Sequence, residues 1–247
     1  MSKRKTNKVK LAEGYGTGIG PTYQPFHTAN GSGSVGTASM IPDPFEGRMV
    51  HVLSTTEEDL YYILRWDDNV EHIREQYPLN VEYMNEVRKA NGLKPLSSMA
   101  VPTTDFLVDY KDGSQHAYSV KFKATQFNPD SIQYRGRKNR YAQLIERQHA
   151  ERLYWESQGI DFSIVTSEDI NRVYAKNIAY VMSHYNDLFI VTREQKLMYL
   201  LAHKIVTVPM TEKKINPKEL AESMTFDIDV AYEKAISYKG VLANAGY

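Results

Sequence analysis

No cysteine occurs in the 247 residues, which excludes disulfides, thiolate nucleophiles and cysteine-ligated zinc. Any bound metal must rest on oxygen or imidazole. Cysteine-free chains are compatible with a reducing, cytoplasmic compartment. No apolar run approaches the roughly 18 residues of a membrane helix, so no membrane partner is expected. The first ten residues, MSKRKTNKVK, carry five basic side chains and no apolar h-region, so a secretory signal is not expected there either. A dominant charge is also missing. Thirty Lys and Arg balance thirty Asp and Glu, and the whole-chain charge therefore argues for no particular partner.

What is present suits a soluble globular protein, with 42% hydrophobic and 24% charged residues. The length allows one large domain or two, and two is the better reading. Charge is distributed unevenly. Lys3, Arg4, Lys5, Lys8 and Lys10 make a basic tail, and Lys121, Lys123, Arg135, Arg137, Lys138 and Arg140 make a second cluster interrupted by Asp130. Each is either a solvated surface or a strip for phosphates.

Seven of the 14 glycines fall between Gly14 and Gly36, which marks residues 1–48 as a flexible arm. Its GYGTGIG is not a dinucleotide fingerprint, because no strand precedes it and Pro21 follows where a helix would have to begin. Ser54-Thr55-Thr56-Glu57 is a capping box opening a helix through Trp66. EHIREQYPL reads as a strand ending at Pro78. Thr103 to Lys123 reads as a hairpin turning at Asp112-Gly113. A long helix over 140–158, with Leu144, Ile145, Leu153 and Trp155 inward, leads to a strand over 160–166, and Ser167 is positioned to cap the next helix. Residues 169–247 read as helices with short links: 192–203, one capped by Asn216 with Pro217 at its first position, and one capped by Asp229. The last two resemble a helix-turn-helix element that could face DNA or protein.

Chemistry concentrates in the hairpin. Asp105 heads the first strand, and Ser119, Val120 and Lys121 lie on the returning one. Carboxylates that hold Mg²⁺ beside a lysine can stabilise charge on an attacked phosphate and activate water. Asp105 and Lys121 share a face only if the hairpin has a three-residue loop or a bulge near Gly113, because a two-residue Asp112-Gly113 loop puts them on opposite faces. Glu57 is a capping residue, yet it shares a helical face with Leu60, Tyr61 and Leu64 and so also points along the core-facing side.

Taken in order, VHVLSTTEEDLYYILRW, NVEHIREQYPL, TTDFLVDYKDG, AYSVKFKA and ERLYWESQGIDFSIVTSEDINRVYAKNI resemble the TnsA-type endonucleases of heteromeric bacterial cut-and-paste transposons. That resemblance implies an α/β restriction-endonuclease-like core, a mixed sheet flanked by helices, over residues 49–168. It also implies a small, mostly helical, winged-helix-like interaction domain over 169–247. By motif, Glu57, Asp105 and Lys121 would be catalytic. Glu57, Asp105 and the Val120 carbonyl would hold Mg²⁺, or Mn²⁺ in its place. Ser119 stands where this nuclease superfamily usually has Glu or Gln, and offers a hydroxyl to the metal instead. Lys123, Arg135, Arg137, Lys138 and Arg140 would contact DNA. The implied partners are double-stranded DNA at transposon ends, a DDE-type transposase that cuts the other strand, and an AAA+ ATPase. Two alternatives remain at this stage: a non-catalytic DNA-binding assembly subunit, or a stand-alone nuclease of phage or repair type.

Overall fold

The computed structural model describes residues 5–30, 37–97, 99–135 and 138–244. The chain divides after Ile170 into two units. In the first, a short helix α1 (Asn7–Ala12) precedes an antiparallel hairpin of β1 (Ser39–Asp43) and β2 (Arg48–Val52). Helix α2 (Thr55–Trp66) follows, opened by the expected cap: Ser54 Oγ accepts the Glu57 N–H at 3.2 Å. Then come β3 (Val70–Pro78), α3 (Val81–Ala90), β4 (Thr103–Tyr110), β5 (Gln115–Lys121), α4 (Lys138–Glu156) and β6 (Asp161–Thr166).

The four later strands form one sheet in the order β3-β4-β5-β6. The first two neighbouring pairs are antiparallel, and β6 lies parallel to β5 after the α4 crossover. This is the expected mixed sheet flanked by helices. Leu107 and Ala117 of one sheet face pack with Met84 of α3 and with Ala150, Tyr154 and Trp155 of α4. Helix α2 packs against β2, β3 and β5.

The hairpin of β1 and β2 is fastened to β3 by charge. Arg48 donates through Nη1 and Nη2 to both oxygens of the fully buried Glu75, at 2.9 and 2.8 Å. Its Nε reaches Glu46 at 2.7 Å and Nη2 also reaches the Ile73 carbonyl at 2.6 Å. These acids hold the Arg48 guanidinium well above its ordinary pKa against the opposing effect of burial.

The glycine-rich segment is not a free arm where it is described. Tyr23 and Phe26 are buried in this unit, and Gly16, at φ +83°, passes so close to Pro78 that a Cβ would lie 2.1 Å from its ring. Only glycine fits there.

Helix α4 departs from the expected inward face. Trp155 is buried as expected, but Ile145 is exposed and Leu153 only half-buried, whereas Gln148, Ala150, Glu151 and Tyr154 are buried. The polar members turn inward because the sheet offers them partners. Glu151 accepts a hydrogen bond from the Thr104 hydroxyl, and the Trp155 indole N–H lies 3.3 Å from the same oxygen of Thr104.

The second unit holds α5 (Arg172–Met182), α6 (Arg193–Ala202), α7 (Pro217–Ser223) and α8 (Ile228–Asn244). Leu197, Met198, Leu200 and Leu201 of α6 are buried, and α5, α7 and α8 pack on this helix. Asn177, buried on α5, donates to the carbonyls of Met210 and Lys213 at 2.8 Å each and accepts from Ile215 N, tying down the link before α7. Asn216 caps α7 as expected, and Thr192 caps α6. Two caps differ. Asn171 rather than Ser167 opens α5, because Ser167 instead gives its hydroxyl to the Phe122 carbonyl. Asp227 accepts the first N–H groups of α8, while Asp229 pairs with Lys196 at 2.5 Å. This unit has no strand among its described residues, so the wing of a winged-helix domain has no counterpart there.

Candidate active site

The hairpin register answers the parity question posed by the sequence. Phe106 faces Tyr118 and Asp109 faces Gln115, so Lys111-Asp112-Gly113 is a three-residue loop closed by Tyr110 and Ser114. Gly113, at φ +84°, supplies the left-handed residue that such a loop requires. Continued, this register sets Ser119 opposite Asp105 and brings Lys121 to the same face.

At the end of the ladder the Asp105 carboxylate takes over from the backbone. Its Oδ2 accepts the Val120 N–H at 2.6 Å and lies 3.6 Å from the Lys121 ammonium. Lys121 also donates to Ser119 Oγ at 2.7 Å and to the Val120 carbonyl at 2.9 Å. Three oxygens of different kinds therefore surround one positive group.

Glu57 enters from the first turn of α2. Its Oε1 accepts the Ser54 hydroxyl at 2.9 Å and its Oε2 accepts the Leu53 N–H at 2.8 Å. The cap thus fixes the carboxylate instead of competing with a role for it. Gln76 of β3 links it to Asp105: Nε2 lies 3.3 Å from Glu57 Oε2 and 3.4 Å from Asp105 Oδ1. Burial, and then the Asp105 charge, push the Glu57 carboxyl up to about 7, against the pull of Leu53, Ser54 and Lys121.

Sequence reading missed Gln76, and it missed a third acid. Glu151 is buried on α4, and burial followed by the Asp105 charge raises its carboxyl to about 7. It lines a cleft of about 580 Å³ together with Asp105, Ser119, Lys121, Arg147 and Gln148. The available signal was the spacing Gln148, Glu151, Trp155, which places two polar residues in the stripe that a helix normally buries.

The donor chemistry fits a hard divalent cation. Two carboxylates, a hydroxyl and a carbonyl are all oxygen, and they converge where a cationic side chain already sits. Gln148 Oε1, buried beside Glu151, has no hydrogen-bond partner among the described residues. No group of three or more acids or histidines there forms a ready-made cage, so an ion would rest on Glu57 and Asp105 supplemented by Ser119 Oγ and the Val120 carbonyl.

The expected DNA-contacting residues are less converged. Lys123, Arg135 and Arg140 are exposed, with Lys123 Nζ 5.3 Å above the Phe122 ring. Lys138 opens α4. Arg137 lies outside the described residues, as do Lys3 and Arg4 of the basic tail.

Comparison with known proteins gives this geometry a context. Residues 67–167 match the model of the TnsA-like endonuclease N-terminal domain, a span that contains Gln76, Asp105, Lys121 and Glu151. Over this span the chain is similar to TnsA-like endonucleases. Over 177 residues, 70% of its length, the chain is 30% identical to the Tn7 transposition protein TnsA of Escherichia coli. The chain spans 61% of that relative's length. No helix among the described residues is long and apolar enough to cross a membrane.

Proposed function

We propose that this chain is the Mg²⁺-dependent DNA endonuclease subunit of a cut-and-paste transposase, cutting the strand at the 5′ ends of the element. The observation that carries the reading is the meeting of Glu57, Asp105 and Lys121 at one end of the mixed sheet, beside a cleft lined by acids. The match of residues 67–167 to the model of the TnsA-like endonuclease N-terminal domain supports the same class.

In this reading Asp105 and Glu57 hold the cation, with the Val120 carbonyl and Ser119 hydroxyl as neutral ligands. A bound Mg²⁺ supplies Lewis-acid polarisation of the phosphate and a more acidic water. Lys121 lies 3.6 Å from Asp105 Oδ2, close enough to place its charge against the attacked phosphate. Glu151, with a carboxyl near 7, can accept or return a proton at neutral pH. Exposed Lys123, Arg135 and Arg140, with Arg137 and Lys138, contact backbone phosphates and add affinity without reading bases.

A chain with no net charge and no strong base-reading motif binds DNA weakly by itself. A DDE-type transposase that recognises the ends, and an AAA+ ATPase that couples both to a target, would supply position by raising the local concentration of the nuclease. The helical unit after Ile170 is the part assigned to those contacts. The site of action is then the bacterial nucleoid.

The test is cleavage of transposon-end DNA by the reconstituted proteins with Mg²⁺. With wild type both strands are cut, the 5′ strand by this chain, whereas with Asp105→Ala only the transposase cuts remain and the complex still assembles. Equal 5′-strand cutting by Asp105→Ala removes this site from the reaction. Metal-independent DNA binding with no cutting by wild type favours a non-catalytic assembly subunit, the outcome to which Ser119, in place of the usual Glu or Gln, draws attention.

A further inference from the structure

Gln76 combines an unusual backbone with an unusual position. Its φ of +50° lies in the left-handed region, where a residue with a Cβ is strained, and it sits inside a strand. Its neighbours Glu75 and Tyr77 keep their ladder partners Phe106 and Thr104, so the distortion is confined to the one residue that faces Asp105. The glycine-rich segment holds this geometry: the Phe26 N–H donates to the Gln76 carbonyl at 3.3 Å and the Tyr23 hydroxyl to the Glu75 carbonyl at 2.8 Å. Glycine would take this φ without strain, yet the position carries a long amide that is 3% exposed.

The amide explains the choice. One nitrogen carries two N–H groups, and its two acceptors are Glu57 Oε2 and Asp105 Oδ1. Being neutral, it links two carboxylates without cancelling the negative charge that a cation needs. Lysine or arginine at the same place would compete with the ion. Backbone strain at a site of this kind is kept when it aims a side chain that the chemistry requires.

We infer that Gln76 is the positioning residue of the site: its left-handed backbone aims an amide that holds Glu57 and Asp105 together for a shared divalent cation. The inference rests on the metal reading given above. Two variants of the full chain separate aim from stability. Gln76→Gly removes both amide and strain, and Gln76→Met keeps the length and the strained backbone but removes the donors.

Thermal melting in EDTA and calorimetric titration with Mn²⁺ are the measurements. Gln76→Gly should melt at or above the wild-type temperature in EDTA, and Gln76→Met below Gln76→Gly. Both should bind Mn²⁺ about 10-fold more weakly or worse, the usual effect of losing a group that orients a metal ligand. Mn²⁺ affinity within twofold of wild type in either variant overturns the positioning role. So does a Gln76→Gly protein that melts several degrees below wild type in EDTA, since the amide would then be an ordinary structural tie. If wild type binds no Mn²⁺, the metal reading fails on its own. The EDTA melts then decide the aim of Gln76: Gln76→Gly below wild type overturns it, and at or above wild type supports strain held against stability.

Discussion

Two buried charged clusters lie in the first unit, and they are built on opposite principles. Around Arg48 the charges are matched: Arg48 meets Glu46 and Glu75, and Arg65 lies 3.8 Å from Glu46. Around Asp105 they are not. Glu57 and Glu151 each feel the charge of Asp105, and Lys121 is the cation in contact, with a weaker pull on Glu151 from Arg147. The matched cluster raises the pKa of Arg48, while the unmatched one raises Glu57 and Glu151 to about 7. A folded chain tolerates surplus buried acid only at a cost, and a divalent cation is what relieves it. The first cluster ties the hairpin to the sheet, and the second is the one that the proposed cation would relieve.

The difference can be broken most sharply at Asp105. Asp105→Ala should lower 5′-strand cleavage by about 10³-fold or more, because it removes the one carboxylate shared by Glu57, Lys121 and Gln76. Its folding should change little, since the substitution lessens the repulsion among acids. Arg48→Met should do the reverse. Leaving Glu75 buried without its partner costs about 3–5 kcal/mol, readable by chemical denaturation. Any loss of cleavage should follow the loss of folded protein.

A smaller effect comes from pH. Glu57 and Glu151 hold protons up to about 7 in the folded chain, whereas unfolded carboxyls release theirs near 4.5. The folded state thus binds more protons in that window, and the sign follows: stability of the metal-free protein falls as pH rises from about 4.5 through 7. Melting temperatures in EDTA should decline from pH 5 to pH 8, and Glu151→Gln should flatten the decline. A melting temperature that climbs across this range would mean the acids are not in surplus.

The smallest expected change concerns the exposed basic residues. Replacing Lys123, Arg135 and Arg140 with alanine should reduce the salt dependence of DNA binding, by at most about 0.9 in log–log slope for each lost phosphate contact. An unaltered slope returns them to the role of solvated surface.

The contrast between the clusters also shows what a sequence discloses. The meeting of Asp105 and Lys121 was legible because a hairpin imposes parity, which made a three-residue loop or a bulge near Gly113 its condition. Glu57 was legible through its capping box, a local signal. Glu151 was not, because its burial depends on how α4 lies on the sheet. The apolar pattern instead favoured Ile145, which is exposed. The Arg48 cluster was illegible for the same reason, since it joins residues 46, 48 and 75 through tertiary packing alone. Gln76 reads as an ordinary strand residue, and nothing in its neighbours announces a left-handed backbone. Caps written in short-range spacing fared better at Ser54 and Asn216 than at Ser167 and Asp229, where an equally suitable acceptor stood a few residues away.

Counting divalent ions tests the assignment of the acid-rich cluster most directly. Mn²⁺ bound to the full chain can be followed by electron paramagnetic resonance, for wild type, Asp105→Asn and Arg48→Met at pH 6 and pH 8. Wild type and folded Arg48→Met should bind Mn²⁺ more tightly at pH 8, as protons leave Glu57 and Glu151, and Asp105→Asn should lose that binding at both pH values. Equal uptake by Asp105→Asn and wild type would place the ion elsewhere and contradict the functional reading of the surplus acids.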